Sequence, residues 1–284
     1  MSELSHQYQR YFDINMRYTK GSSNLQTSHY RQRLTCLITV RFGFISPVII
    51  RKLYQINQHQ TLQHLNRLVT LGLLRLVRTH RSIDGRIYVP SYQGVKLAEE
   101  IMAMEIYFRS NANPAMQVNP NNIMHDSMNM FILLLGLHHE DNDGNKAPFW
   151  SGFITEPEYR KIGAKHSRNV DGLVQENDGT ITAIEIEHSF KNKATRQGIL
   201  LKYLHDLKQG YYHKVFFISH EQQILKDAKR LNEQLIGELL TVYNKKTKAP
   251  FLSNSEAELL SSALVYRTKF CQILTTHFYP DSNL

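Results

Sequence analysis

Cysteine is nearly missing: Cys36 and Cys271 are the only two in 284 residues. A pair supports neither a disulfide framework nor a cysteine-built metal cluster. Long apolar runs are missing too. The longest, "MFILLLGL" at 130–137, is well short of the roughly 20 residues a helical membrane span needs. The opening "MSELSHQYQRYF" lacks the basic-then-apolar pattern of a secretion signal, and no internal repeat is visible. These absences point to a cytoplasmic protein with no membrane span.

What is present is 42% apolar content, enough for one or two domains with real cores, and a net charge of +9 with an uneven distribution. Residues 1–100 carry 14 Lys and Arg against 5 Asp and Glu, whereas residues 101–284 carry 20 of each. The whole excess lies in the first third. A basic module joined to a neutral one predicts a polyanion-binding part and a part with another task.

The basic third has a recognisable order. "SHYRQRLTCLITVR" at 28–41 has helical apolar spacing. "GFISPVIIRKLYQI" offers Ser46 as N-cap and Pro47 at the first helical position. In "NQHQTLQHLNRLVTLGLL", Leu62, Leu65, Leu68 and Leu71 recur at helical spacing and Gly72 ends the run. Two extended runs follow, Leu74–Arg78 and Arg86–Val89, joined by a turn with Asp84-Gly85. "SYQGVKLAEEI" is helical again. Three helices, a hairpin and a helix make a winged helix-turn-helix, expected over 1–112. Its third helix would enter the major groove. The outward face is predicted to carry Gln60, Thr61, Gln63, His64 and Arg67, side chains that read base edges or hold phosphates. Arg78, His80, Arg81 and Arg86 would decorate the wing. The rival use of such a domain is docking a protein.

"SNANPAMQVNPN" at 110–121 is uncharged and rich in Asn and Pro, and reads as a connection. A helix is expected from about Asn122 to His138, then a polar loop at 139–147. The pattern next turns to short extended runs: "FWSGFI", "SRNVDGLV", "TITAIEIEH" and "HKVFFIS". The helical "NKATRQGILLKYLHDLKQG" lies between the last two. This predicts a mixed α/β core (α+β) over 113–284.

Within it, Asn177-Asp178-Gly179 is a hairpin signal. With Gly179 left-handed, Glu176 faces Thr180 and Asp171 faces Glu185, their Cβ atoms about 5 Å apart. Glu187 shares that face, and Ile184 and Ile186 pack behind. Three converging carboxylates repel one another and their pKa values rise. A hard divalent cation, Mg²⁺ or Mn²⁺, relieves this and can polarise a phosphoryl oxygen. The competing reading is a solvated acidic face on an edge strand.

Asp171-Gly172, then Glu185-Ile186-Glu187, then Lys191 resemble the PD-(D/E)XK nuclease core, the restriction-endonuclease-like fold. The resemblance implies that Asp171 and Glu185 hold the metal. The place two residues further on is usually Lys; here it is Glu187, a third ligand or water-orienting base. Lys191 or Lys202 would then supply the catalytic positive charge. The wider order is similar to the replication-relaxation family and its MOBC-type relaxases of mobilisable plasmids. It runs from the winged helix through a helix at His125-Asp126, Arg168-Asn169-Val170-Asp171-Gly172 and Glu185 to Ser189, ending at Lys202-Tyr203. The likeness spans about residues 30–218. It implies a metal-dependent relaxase that nicks one strand of double-stranded DNA at a plasmid origin of transfer, with relaxosome or coupling proteins as further partners. No His-apolar-His triplet occurs, and "LHHE" at 137–140 does not make one.

Other features carry less. His125 would support the metal site, touch a phosphate or lie on the surface. Ser189 is read as the cap of the next helix, since no Ser-His-Asp order is evident. Arg196 and Lys202 would grip a phosphate backbone. The sequence selects none of the 15 tyrosines as a nucleophile. "EQQILKDAKRLNEQLIGELLTVY" is an amphipathic packing helix, and "NKKTKAP" at 244–250 a basic loop. Two other functions remain open: a non-catalytic DNA-binding accessory protein of plasmid transfer or replication, and a double-strand nuclease.

Overall fold

The computed structural model describes residues 3–105, 118–141, 143–243 and 248–279. These form a mixed α/β protein with two sheets. The chain divides into two compact units, Gln9–Glu158, and Met1–Tyr8 with Tyr159–Leu284.

Helix α1 (Glu3–Phe12) comes first. In the Gln9–Glu158 unit, the Ser23 side chain accepts from the Gln26 amide and opens α2 (Asn24–Phe42). Gly43, at φ +84°, closes it in the left-handed region that glycine enters without strain. Helix α3 (Pro47–Tyr54) starts on the expected proline, yet Ser46 makes no side-chain cap bond. Asp84 caps it instead, its Oδ2 accepting from the Val48 amide at 2.9 Å. Helix α4 (Gln58–Thr70) opens with a capping box between Asn57 and Gln60. Strands β1 (Leu74–Arg78) and β2 (Arg86–Pro90) pair antiparallel, with Arg78 opposite Arg86. Ile45 bridges Tyr88, with 2.8 Å hydrogen bonds in both directions. Helix α5 (Tyr92–Met102), capped by Ser91, packs on α2.

Of the connection expected at 110–121, residues 110–117 lie outside the described residues. A 3-10 turn at Pro120–Asn122 leads into α6 (Ile123–Leu137) and then β3 (Trp150–Thr155). Both belong to the first unit, which reaches Glu158, whereas the sequence boundary at 112/113 puts them in the second. The physical reason is their packing. Helix α6 lies on α3, the Trp150 indole N–H donates to the Leu133 carbonyl at 2.9 Å, and Arg41 of α2 donates to the Phe153 carbonyl at 2.7 Å.

Gly136 makes this packing possible. A Cβ there would sit 2.0 Å from Cζ2 of Trp150, a ring with no exposed surface. Helix propensity alone would favour Gly136→Ala by about 1 kcal/mol. The clash outweighs it, because overpacking a rigid indole costs roughly 1–3 kcal/mol or more. Thermal unfolding of Gly136→Ala is therefore expected at a lower Tm than wild type; an unchanged or higher Tm contradicts this.

In the second unit, α7 (Glu156–Ile162) runs on from the first. Strands β4 (Gly172–Glu176) and β5 (Ile181–Ile186) form the expected hairpin, with Gly179 at φ +86° and the Glu176 amide donating to the Thr180 carbonyl at 2.8 Å. Helix α8 (Lys193–Gln209) crosses to β6 (Lys214–Ile218), which pairs parallel with β5. Its cap is Asn192, accepting from the Thr195 amide, not Ser189. Helices α9 (Gln222–Thr241) and α10 (Asn254–Ala263) pack on α8. Strand β7 (Leu264–Tyr266) then adds parallel to β6, and α11 (Lys269–Phe278) follows. The amphipathic packing helix is thus α9, with Ile224, Leu225, Leu235 and Leu239 buried. Of "NKKTKAP", residues 244–247 lie outside the described residues and 248–250 are exposed. Among the described residues no helix is long and apolar enough to cross a membrane.

Candidate functional site

The three carboxylates meet where β4 begins and β5 ends. The register pairs Gly172 with Ile184, and the Asp171 amide donates to the Ile184 carbonyl at 3.1 Å. Asp171 therefore stands opposite Glu185, as the hairpin predicts. Its Oδ2 accepts from the Ile186 amide at 2.7 Å. Glu187, just past β5, donates its amide to the Ile218 carbonyl of β6 at 2.8 Å. Strand β5 lies between β4 and β6, so the edge-strand alternative falls. Glu185 and Glu187 are 2% and 1% exposed.

Burial at that depth requires partners, and the partners are basic side chains. Arg168 forks Glu185, Nε to Oε1 at 3.0 Å and Nη2 to Oε2 at 3.1 Å. Glu187 takes Arg196 Nη1 on Oε1 at 2.7 Å and Lys191 Nζ on Oε2 at 2.5 Å. Three basic side chains thus stand among the three carboxylates. Arg196 is itself 2% exposed, so it does not serve as a free phosphate grip. Lys202 is exposed, and its charge pulls weakly down on the Asp206 carboxyl.

The electrostatics differ across the cluster. Burial, then the Asp171 charge, push the Glu185 carboxyl up to about 7 against the pull of Arg168. Glu187 goes the other way: burial works to raise it, but Arg196 and Lys191 hold it below the usual carboxylate range. Burial, then Glu185, raise the Tyr203 hydroxyl well above its ordinary value. Behind Arg168 sits Asp206, fully buried. Its Oδ2 accepts from the Arg168 amide at 2.8 Å and from the Tyr212 hydroxyl at 3.1 Å, and burial raises its carboxyl. Arg168 and Asp206 are the site residues whose roles the sequence does not reveal. The only signal is a basic residue three positions before Asp171.

A hard divalent cation suits this donor chemistry, three carboxylates with two facing each other. The positions suit it less. Both oxygens of Glu185 and both of Glu187 are engaged by cations. Among the described residues no group of three or more His, Cys, Asp or Glu is placed to hold a metal ion. The repulsion that predicts Mg²⁺ or Mn²⁺ is answered here by guanidinium and ammonium groups. An ion enters only if Arg168 releases Glu185.

In the first unit, the expected DNA-facing residues separate into two groups. Gln60, Gln63 and Arg67 are exposed on α4, and Arg78, His80 and Arg81 on the hairpin, with Arg86 half-exposed. Arg67 also donates to the Ser28 hydroxyl at 3.0 Å. Thr61 and His64 do not face outward. Thr61 has no exposed surface and returns its hydroxyl to the Asn57 carbonyl at 2.9 Å. His64 Nε2 lies 2.9 Å from Thr35 Oγ1, its ring edge against Tyr54. Burial, then Arg31 and Arg67, push its imidazole down to about 4. The leucine stripe turns less than expected: Leu65 and Leu68 are buried, Leu62 is half-buried and Leu71 is 46% exposed. That rotation brings Thr61 and His64 inside. His125 is half-buried in this unit and meets Asp126 Oδ1 at 3.0 Å.

The chain matches no protein-family model, no curated protein and no solved structure.

Proposed function

We propose that this protein is a DNA-binding, metal-dependent nuclease that nicks one strand of double-stranded DNA, at a plasmid origin of transfer as its sequence resemblance implies. The observation that carries the reading is the register of β4 and β5. It sets Asp171 opposite a buried Glu185 whose carboxyl stays up at about 7, a perturbed pair of the kind found at reactive sites. The order of elements supports it. A hairpin, the crossover helix α8 and a parallel strand follow one another as in a PD-(D/E)XK core. In the first unit, three helices lead to a hairpin that Ile45 joins at Tyr88, as in a winged helix-turn-helix. The basic excess of residues 1–100 supplies the pull toward phosphates.

In this reading Asp171, Glu185 and Glu187 would hold Mg²⁺ or Mn²⁺, which when bound polarises a phosphoryl oxygen and stabilises the leaving oxygen. Arg168, once off Glu185, offers a planar fork that suits a phosphate. Lys191 keeps positive charge beside Glu187, where the family usually places its lysine.

The test is relaxation of supercoiled plasmid carrying the origin, with and without Mn²⁺. The expected result is nicked circles from wild type with the ion, and a loss of nicking of at least tenfold in Asp171→Asn. Equal relaxation by the two proteins overturns the mechanism, and linear product makes the protein a double-strand nuclease. A second reading, the non-catalytic accessory protein, is favoured by the ion pairs that already hold Glu185 and Glu187 through both oxygens. It predicts origin binding without cleavage.

A further inference from the structure

Beside Glu187 lies a cavity of about 350 Å³. One wall is the β5–α8 connection, with Phe190 and Lys191; the other is α9, with Ile224, Ala228 and Arg230. Phe190 is 66% exposed, the most exposed aromatic ring among the described residues. The ring stands in a loop that is otherwise polar: Ser189, Lys191 and Asn192.

We propose that this cavity seats one unstacked base of single-stranded DNA, with Phe190 as the stacking platform. The inference deepens the function proposed above by giving the strand a place beside the carboxylate cluster. Three features fit such an occupant. The volume lies at the small end of the range for bound organic molecules, about 300–1,000 Å³, which admits a base and not a duplex. The apolar floor of Ile224 and Ala228, 5% and 6% exposed, offers a base no sequence-reading hydrogen bond. Such seats are sequence-tolerant, because every base has a π face. The charge is also right. Lys191, Arg196 and Arg230 outnumber Glu187 and Asp227 around the cavity. Both oxygens of Glu187 are covered by Arg196 and Lys191, so a phosphate at the mouth does not meet a bare Glu187 carboxylate. Arg230 pairs with Asp227 at 3.0 Å with its side chain 80% exposed, an ion pair weak enough to give way to a phosphate.

The test is binding of a fluorescent single strand carrying 2-aminopurine to the full chain, in EDTA, for wild type, Phe190→Ala and Phe190→Trp. A duplex of the same sequence serves as the parallel ligand. Wild type is expected to change the 2-aminopurine emission on binding. Phe190→Ala is expected to lose about tenfold or more in single-strand affinity, the scale of one base–aromatic stack. Phe190→Trp retains affinity, and duplex binding is unchanged in both variants. Unchanged single-strand affinity in Phe190→Ala overturns the proposal, as does an equal loss for strand and duplex. Because the assay excludes metal and cleavage, a failed nicking experiment leaves it standing, and its own failure leaves the nicking experiment standing.

Discussion

Arg168→Met is expected to turn the carboxylate cluster into a stronger ion-binding site. In the native chain the guanidinium forks Glu185 through both oxygens and occupies the place that a divalent cation needs. Methionine keeps an unbranched apolar stem but removes the competing charge. Calorimetric titration with Mn²⁺ at pH 8 should show an affinity at least tenfold above wild type, and Asp171→Ala in the same background should abolish it. Stability changes in a defined direction. Glu185 titrates at about 7 even with Arg168 in place, raised from an ordinary carboxylate. The folded state therefore holds its proton over a range where the unfolded chain has lost it, and stability falls as pH rises between the two values. Without Arg168 that range extends upward. At pH 8 the variant must either ionise a buried Glu185 with no guanidinium beside it or take up a proton that the unfolded chain does not hold, and is expected to lose up to about 3–5 kcal/mol. At pH 5, where Glu185 is neutral, the loss should be much smaller. Mn²⁺ at 100 times its dissociation constant should restore about 2.7 kcal/mol. Uptake should be tighter at pH 8 than at pH 6, because proton and ion compete for the same oxygens. If neither protein takes up Mn²⁺, the cluster is a structural ion-pair network and the metal-dependent mechanism falls.

The cluster also marks how far the sequence could be read. The hairpin was legible because local chemistry sets it: Gly179 alone can take φ +86° at little cost, and strand alternation then aligns Asp171 with Glu185. The caps of α2, α4 and α5 obey the same short-range rules. Arg168 on Glu185 and Arg196 on Glu187 were not legible, since each joins residues brought together only by the finished fold. Asp84 at the start of α3 is another case, a residue of the β1–β2 turn reaching back 36 positions to Val48. On α4, a modest change in which leucines face inward moves Thr61 and His64 from the predicted groove face to the interior. Spacing identifies a helix better than it fixes its rotation, because neighbouring elements set the rotation. The four strands between Phe149 and Ser219 show as extended runs, whereas α1, α7, β7 and the last two helices carry weaker signals.

Arg41 gives the second large effect. By composition it is one of the 14 basic residues of the first hundred and looks available to DNA. In the fold its side chain is 1% exposed. It meets Glu158 fork to fork, Nε to Oε1 at 2.7 Å and Nη2 to Oε2 at 2.8 Å. Phe153 and Thr155 complete the network: Arg41 Nη2 donates to the Phe153 carbonyl at 2.7 Å, and the Thr155 amide donates to Glu158 Oε2 at 2.9 Å. The network ties α2 to the end of β3 and the start of α7, and explains why the first unit extends to residue 158. Removing one member of a buried pair strands the other charge, at a cost of about 3–5 kcal/mol. Glu158→Ala should therefore lower Tm by roughly 10 °C or more. Glu158→Gln, which keeps an acceptor but no charge, should fall between. The replacement of both partners, Arg41→Met with Glu158→Leu, should recover much of the loss, since an apolar pair of similar volume leaves no charge to solvate. Paired measurements of thermal unfolding and DNA affinity separate the roles. If Arg41 is structural, DNA binding by the double variant at a temperature where it is folded equals that of wild type. A specific loss of affinity with unchanged Tm would instead make Arg41 a phosphate contact and remove the physical reason for placing the first unit's boundary at Glu158.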